Sequence, residues 1–244
     1  MQPLRKAEFL PLWAGLPVAH PPAHCRPAPT KAYRKVRRAQ YLPVDTIVIH
    51  ATAGGSSAGA MSVSDAGTAS WHALIPDEDE LGHGKYVYRC VPDESAAWHV
   101  LSKLVHPADH KPNINDRSFG VEVVNQQDGR DPFSDWQLRV TAELVRYWRS
   151  CFPIKYLYTH AYLDPRRKDD PTDLFDWEKF MGYVLEKGQV PELTVTVDGN
   201  LAEVGAWVDK GTSYAPLARL VAAMGGAVSY DAASNQIRIT MRAT

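Results

Sequence analysis

His50 closes a short β-branched run, Thr46-Ile-Val-Ile-His50, and His160 follows a second strand-like run, Tyr156-Leu-Tyr-Thr159. Asp170 comes shortly after, beside Asp169 in Lys168-Asp-Asp-Pro171. Imidazole nitrogens and a carboxylate oxygen are donors that zinc takes, and three protein ligands leave a fourth position for water. Strand ends bring distant residues to one rim of a sheet, so these residues can meet there. A histidine at a strand end serves equally well as hydrogen-bonded structure. Spacing alone neither separates the two readings nor chooses between Asp169 and Asp170.

The elements that must position these residues can be read from local pattern. Thr46 to Ile49 fits a buried strand, and similar short runs occur at Tyr86 to Val91, Phe119 to Val124 and Tyr156 to Tyr158. Ser134-Asp-Trp-Gln137 is a capping box, and Trp136, Val140, Leu144, Tyr147 and Trp148 then recur at helical spacing. A second helix is expected from near Asp176 to Lys187, stopped by Gly188. Strands mixed with helices predict an α/β layer fold around one central mixed β-sheet flanked by helices.

Composition narrows the function classes. The 27 basic and 28 acidic residues of this 244-residue chain nearly cancel, which argues against nucleic acid as a partner. No run approaches the roughly 20 apolar residues that span a bilayer, so no membrane partner is expected. Pro11, Pro17, Pro21 and Pro22 interrupt the stretch after Arg5 and Lys6, which makes a poor export signal. Cys25, Cys90 and Cys151 lie far apart and outside any Cys-x-x-Cys pair, so reduced thiols are expected.

Three regions are expected: 1–43, a Pro-rich and basic arm; 44–189, the catalytic domain; and 190–244, a small α+β module. In the last, Leu193, Val195 and Val197 alternate with threonines before an Asp198-Gly199 turn. Thr212 or Ser213 is expected to cap a helix carrying Leu217, Leu220, Val221 and Met224, and a strand pair follows around Val228 and Ile237 to Ile239.

The segments Thr46-Ile-Val-Ile-His50-Ala-Thr52, Ser70-Trp-His72, Ala97-Trp-His99, Ser118-Phe-Gly-Val-Glu122 and His160 through Lys168-Asp-Asp170-Pro171 stand in the order found in the amidase-2 family, which includes the peptidoglycan recognition proteins. The resemblance covers about residues 44–185. It implies a zinc-dependent N-acetylmuramoyl-L-alanine amidase acting on bacterial peptidoglycan. By the Lys-x-Asp-Pro pattern the zinc ligands would be His50, His160 and Asp170, with Asp169 outside the set. Glu122 matches the catalytic glutamate and Lys168 the catalytic lysine. A carboxylate in an apolar strand would have its pKa raised by burial, which suits a general base.

His72 and His99 match family histidines outside the ligand set and are expected, with Trp98, in the substrate groove or in hydrogen bonds behind it. His20, His24, His83, His106 and His110 have no motif around them and are expected in exposed loops. The C-terminal region more weakly resembles the copper amine oxidase N-terminal-like module of wall enzymes. A wall hydrolase without an export signal points to a phage endolysin made in the cytoplasm and released to the wall by a holin, with a bacterial autolysin, a recycling amidase or a non-catalytic peptidoglycan-binding protein as the alternatives; a monomer is expected.

Overall fold

In the computed structural model the described residues are 2–10, 25–27, 36–37, 43–185 and five strands between 193 and 240. The chain divides into two compact units, Met1–Glu186 and Lys187–Thr244. The first is built on a seven-stranded mixed sheet. Its strands are β1 (Ala7–Phe9), β2 (Cys25–Pro27), β4 (Thr46–Ala51), β5 (Ala73–Ile75), β6 (Val87–Arg89), β8 (Ser118–Val123) and β9 (Tyr156–Thr159). They lie in the order β1-β9-β4-β8-β5-β6-β2. The middle, β9-β4-β8-β5, is parallel, with β1 antiparallel on β9 and β6 antiparallel on β5. Two short strands, β3 (Val36–Arg37) and β7 (Ser95–Ala96), pair separately.

Side chains alternate across a strand, so each face of the sheet has its own residues. Ile47, Ile49, Phe119, Val121, Val123 and Leu157 form one face and pack with α2 (Asp135–Cys151) and α4 (Trp177–Leu185) in the main core. Phe119 stacks on Trp148 of α2, ring centroids 4.4 Å apart. The Ser134–Gln137 capping box starts α2 as the sequence predicts. On the opposite face lie His50 and Glu122, Cα partners in the parallel β4–β8 register.

Two helices were not legible in the sequence. In α1 (Ser57–Asp65) the buried positions 57, 60, 61 and 64 have helical spacing, but two are serines, which hides the apolar stripe. The one-turn α3 (His160–Leu163) is too short to show periodicity. No helix among the described residues is long and apolar enough to cross a membrane.

The second unit contains a hairpin of β10 (Leu193–Val197) and β11 (Asn200–Asp209), extended by β12 (Thr212–Tyr214), and a second antiparallel pair, β13 (Ala227–Asp231) and β14 (Gln236–Thr240). Both strand pairs occur where alternation places them. Thr212 and Ser213 lie in a strand rather than at a helix cap, and the helix expected over Leu217 to Met224 lies outside the described residues.

Candidate active site

Three donors converge where β4 and β9 end. His50 Nδ1 and His160 Nδ1 are 2.9 Å apart, and Asp170 Oδ2 lies 3.0 Å from the second and 3.6 Å from the first. All three residues are buried. Asp169 is exposed and stays outside the group. The Ala51 amide also donates to Asp170 Oδ2.

The hydrogen bonds behind His50 show what this cluster is prepared to hold. Ser118 Oγ donates to the Ile114 carbonyl at 2.7 Å, and a carbonyl can only accept. Ser118 Oγ therefore accepts from His99 Nε2 at 2.9 Å. With that proton on Nε2, Nδ1 of a neutral His99 is an acceptor, and it receives the N–H of His50 Nε2 at 3.0 Å. The chain leaves His50 Nδ1 as a bare lone pair aimed at His160 and Asp170. Burial, together with the neighbouring His160, pushes the His50 pKa down to about 4, so near neutrality the ring is uncharged. Burial would raise the Asp170 carboxyl, but its contact with His160 Nδ1 and the closeness of His50 hold it well below the usual range.

A lone pair and a carboxylate pointing at one place could hold a cation. Four ligands about 2.0 to 2.1 Å from a tetrahedral zinc are about 3.3 Å apart, close to the separations here. The donor set and its protonation therefore fit the ion.

Glu122 adjoins this cluster. Burial and the negative charge of Asp170 raise its pKa well above that of an ordinary glutamate, and the Lys168 ammonium offsets part of the rise. Lys168 is half-buried, in the loop whose amide at 168 donates to the Asp164 carbonyl. Its charge is felt at both Glu122 and His50.

The remaining histidines separate by role. His72 has no exposed surface. Its Nδ1 accepts from the Gly120 amide and its Nε2 donates to the Ser95 carbonyl, so the ring splices the sheet instead of lining a groove. His99 is buried as well, and Asn115 Oδ1 accepts from the amides of His99 and Val100. Of the two roles expected for His72 and His99, their burial supports support behind the site. Trp98 is 38% exposed, with its backbone fixed to Ser70 on both sides, and it alone of the three offers a ring surface to solvent.

His106 is a correction: expected in an exposed loop, it is fully buried, with Nε2 on Thr46 Oγ1 and its ring packed on Tyr156 and Tyr158. His83 is half-buried against the Tyr88 hydroxyl, and His110 is exposed. His20 and His24 lie outside the described residues.

Ser118 and Gly120 stand in the motif that ends at Glu122, which by itself gives them no role. The period-two pattern could have found them, because 118, 120 and 122 share one face of β8. A Cβ on residue 120 would lie 2.5 Å from His99 Cγ, so glycine gives that ring its place.

A mixed sheet here presents at its rim two imidazoles and a carboxylate that could hold a metal ion, with the carboxyl of Glu122 beside them. Residues 40–173 match the amidase-2 family, described as N-acetylmuramoyl-L-alanine amidase, and the chain belongs to that family. It is 28% identical over 156 residues to N-acetylmuramoyl-L-alanine amidase AmiD of Escherichia coli K12, covering 60% of this chain and 55% of that protein. The chain thus matches about half the length of that curated relative. Among solved structures, AmpDh3 of Pseudomonas aeruginosa shares the fold with a TM-score of 0.51 at 24% identity, over 63% of this chain and 65% of the other. Escherichia coli AmiD, solved in complex with the substrate anhydro-N-acetylmuramic acid-L-Ala-D-gamma-Glu-L-Lys, gives 0.50 at 26% identity, over 60% of each chain.

Proposed function

We propose that this protein hydrolyses the amide bond between N-acetylmuramic acid and the L-alanine of the peptidoglycan stem peptide, with one zinc ion held by His50, His160 and Asp170. The observation that carries this is the hydrogen-bond chain from Ile114 through Ser118 and His99, which presents the His50 lone pair to Asp170 and His160 beside Glu122. Family membership and the muropeptide bound to AmiD support the choice of substrate.

Zinc, when bound there, supplies a Lewis acid that polarises a carbonyl and makes water acidic. Glu122 takes a proton from the attacking water and delivers it to the departing alanine nitrogen, a task suited to a carboxyl whose pKa burial raises well above that of an ordinary glutamate. The Lys168 ammonium balances negative charge on the carbonyl oxygen at the tetrahedral stage. His99 and Ser118 hold His50 in one tautomer, and Trp98 offers its ring to the substrate.

The setting we propose is a phage endolysin, released from the cytoplasm to the wall, with residues 190–244 acting as a wall-binding module of the copper amine oxidase N-terminal-like type. The reaction is tested by digesting purified peptidoglycan with and without a chelator. New N-terminal alanine without new reducing sugar ends, lost with chelator and restored by zinc, is the expected result. Reducing ends in place of alanine would overturn the assignment.

A further inference from the structure

The family match begins at residue 40, yet residues 2–10 are built into the catalytic unit. Strand β1 pairs antiparallel with β9, Ala7 opposite Tyr158 and Phe9 opposite Tyr156. Ahead of it the chain runs beside the loop that follows Asp170. The Leu4 amide donates to the Pro171 carbonyl at 2.9 Å, the Asp173 amide donates to the Gln2 carbonyl at 3.2 Å, and Pro3 bridges Thr172. The same few residues also reach Arg5 to the Pro165 carbonyl and Glu8 to the Trp177 indole of α4.

Thr159 joins these contacts to the metal ligands. Its hydroxyl donates to the Leu4 carbonyl and accepts from the Lys6 amide at 3.1 Å and the Tyr162 amide at 3.3 Å. A hydroxyl has one proton and two acceptor sites, so this one is fully used. The Thr159 amide in turn donates to the Lys6 carbonyl. Two of the three candidate ligands are therefore flanked by residues tied to this segment: His160 follows Thr159, and Asp170 precedes Pro171.

We infer that residues 2–10 form a clamp that sets the separation of His160 and Asp170, making Leu4 and Thr159 positioning residues of the metal centre although the clamp lies outside the family match. The inference rests on the metal reading given above. The Ala161 amide also donates to the Asp170 carbonyl and the Thr172 amide to Gln127 Oε1, and the clamp adds ties at 171 and 173; with fewer ties the loop would sample more separations, and ordering it would then oppose metal binding. With Leu4 and Gln2 bonded on either side of Thr172, the loop is ordered before the metal arrives.

The test uses the full chain with Leu4→Pro, which removes the amide donor, and Thr159→Val, which removes the hydroxyl at similar volume. Leu4→Ala and Thr159→Ser keep those groups and serve as controls. Zinc affinity is read by competition with a chelator, and hydrogen exchange of the metal-free protein is followed at Asp173 and along β4 and β8. The clamp predicts zinc binding about 10-fold weaker or more in Leu4→Pro and Thr159→Val, the usual scale for losing support behind a ligand. Asp173 should also exchange faster in Leu4→Pro, with β4 and β8 protected as in the parent and the controls binding like the parent.

Parent-like zinc affinity in both test variants would overturn the proposal. If Leu4→Pro loses protection in β4 and β8 as well, Thr159→Val against Thr159→Ser decides, and equal affinities in that pair overturn it. Failure of the parent chain to take up zinc would overturn the metal reading instead; Asp173 exchange in the metal-free Leu4→Pro protein would still report on the clamp, and protection as in the parent would refute it.

Discussion

Glu122 and Asp170 are carboxyls near the same histidines, yet their surroundings drive them apart. Asp170 lies within hydrogen-bond distance of His160 and close to His50 and has its pKa lowered, while Glu122 is desolvated and faces the charge of Asp170. In the reaction we propose, these two acids pushed in opposite directions take opposite tasks, one holding a cation and one moving a proton. Glu122→Gln should accordingly keep its zinc while turnover falls at least about 10²-fold, the lower range for general acid–base catalysis. Metal analysis beside turnover of a soluble muropeptide checks this, and near-parent rates would remove Glu122 from the reaction. Gly120→Ala drives a methyl group into the His99 ring. It should lower stability by about 1 to 3 kcal/mol, as overpacking does, and weaken zinc binding about 10-fold through the displaced support of His50. In a His99→Ala background the same substitution should cost much less stability, which thermal denaturation of the four proteins would measure.

At the level of elements, β4, β6, β8, β9, α2 and α4 could be read because each has a run of β-branched residues, a cap or an apolar period of its own. The candidate ligands His50 and His160 were legible as strand ends and Asp170 by family resemblance; the tautomer of His50 was not, because it is set by the Ile114 carbonyl, distant in sequence from it. β5 was too short to show a pattern, and α1 buries serines in place of apolar residues. His106 was misjudged because nothing local reveals that Thr46, sixty residues away, will satisfy it. It donates from Nε2 to Thr46, whose own proton goes to Asp45, and accepts the Ala108 amide at Nδ1, so the buried ring is neutral. Burial and the Arg117 charge lower its pKa. The unfolded chain therefore binds the proton first, and stability contributed by neutral His106 is full above about pH 6.5 and declines as pH falls toward the folded-state pKa. His106→Phe keeps ring packing on the tyrosines but has no proton to bind. Denaturant titrations between pH 7 and 5 should show less loss of stability on acidification for this variant than for the parent; equal slopes would remove His106 as the cause.

Across the whole molecule, the division at residues 186 and 187 leaves every candidate site residue in the first unit. A chain ending near Val190 should fold, bind zinc and cleave soluble muropeptides almost as well as the full protein. Its retention on intact walls should drop, because a tether raises local concentration at an insoluble substrate without altering the chemical step. Sedimentation with whole walls, set beside turnover of a soluble fragment, separates the two effects, and undiminished wall binding would reassign residues 190–244. β9 is an interior strand of the sheet only because β1 lies along it. With β1 displaced, the backbone of Tyr156 to Tyr158 would present unpaired N–H and C=O groups, a template on which another chain can add a strand. Three residues of β1 close that edge and present little pairing surface of their own, so the segment also guards the folded protein against edge-to-edge aggregation.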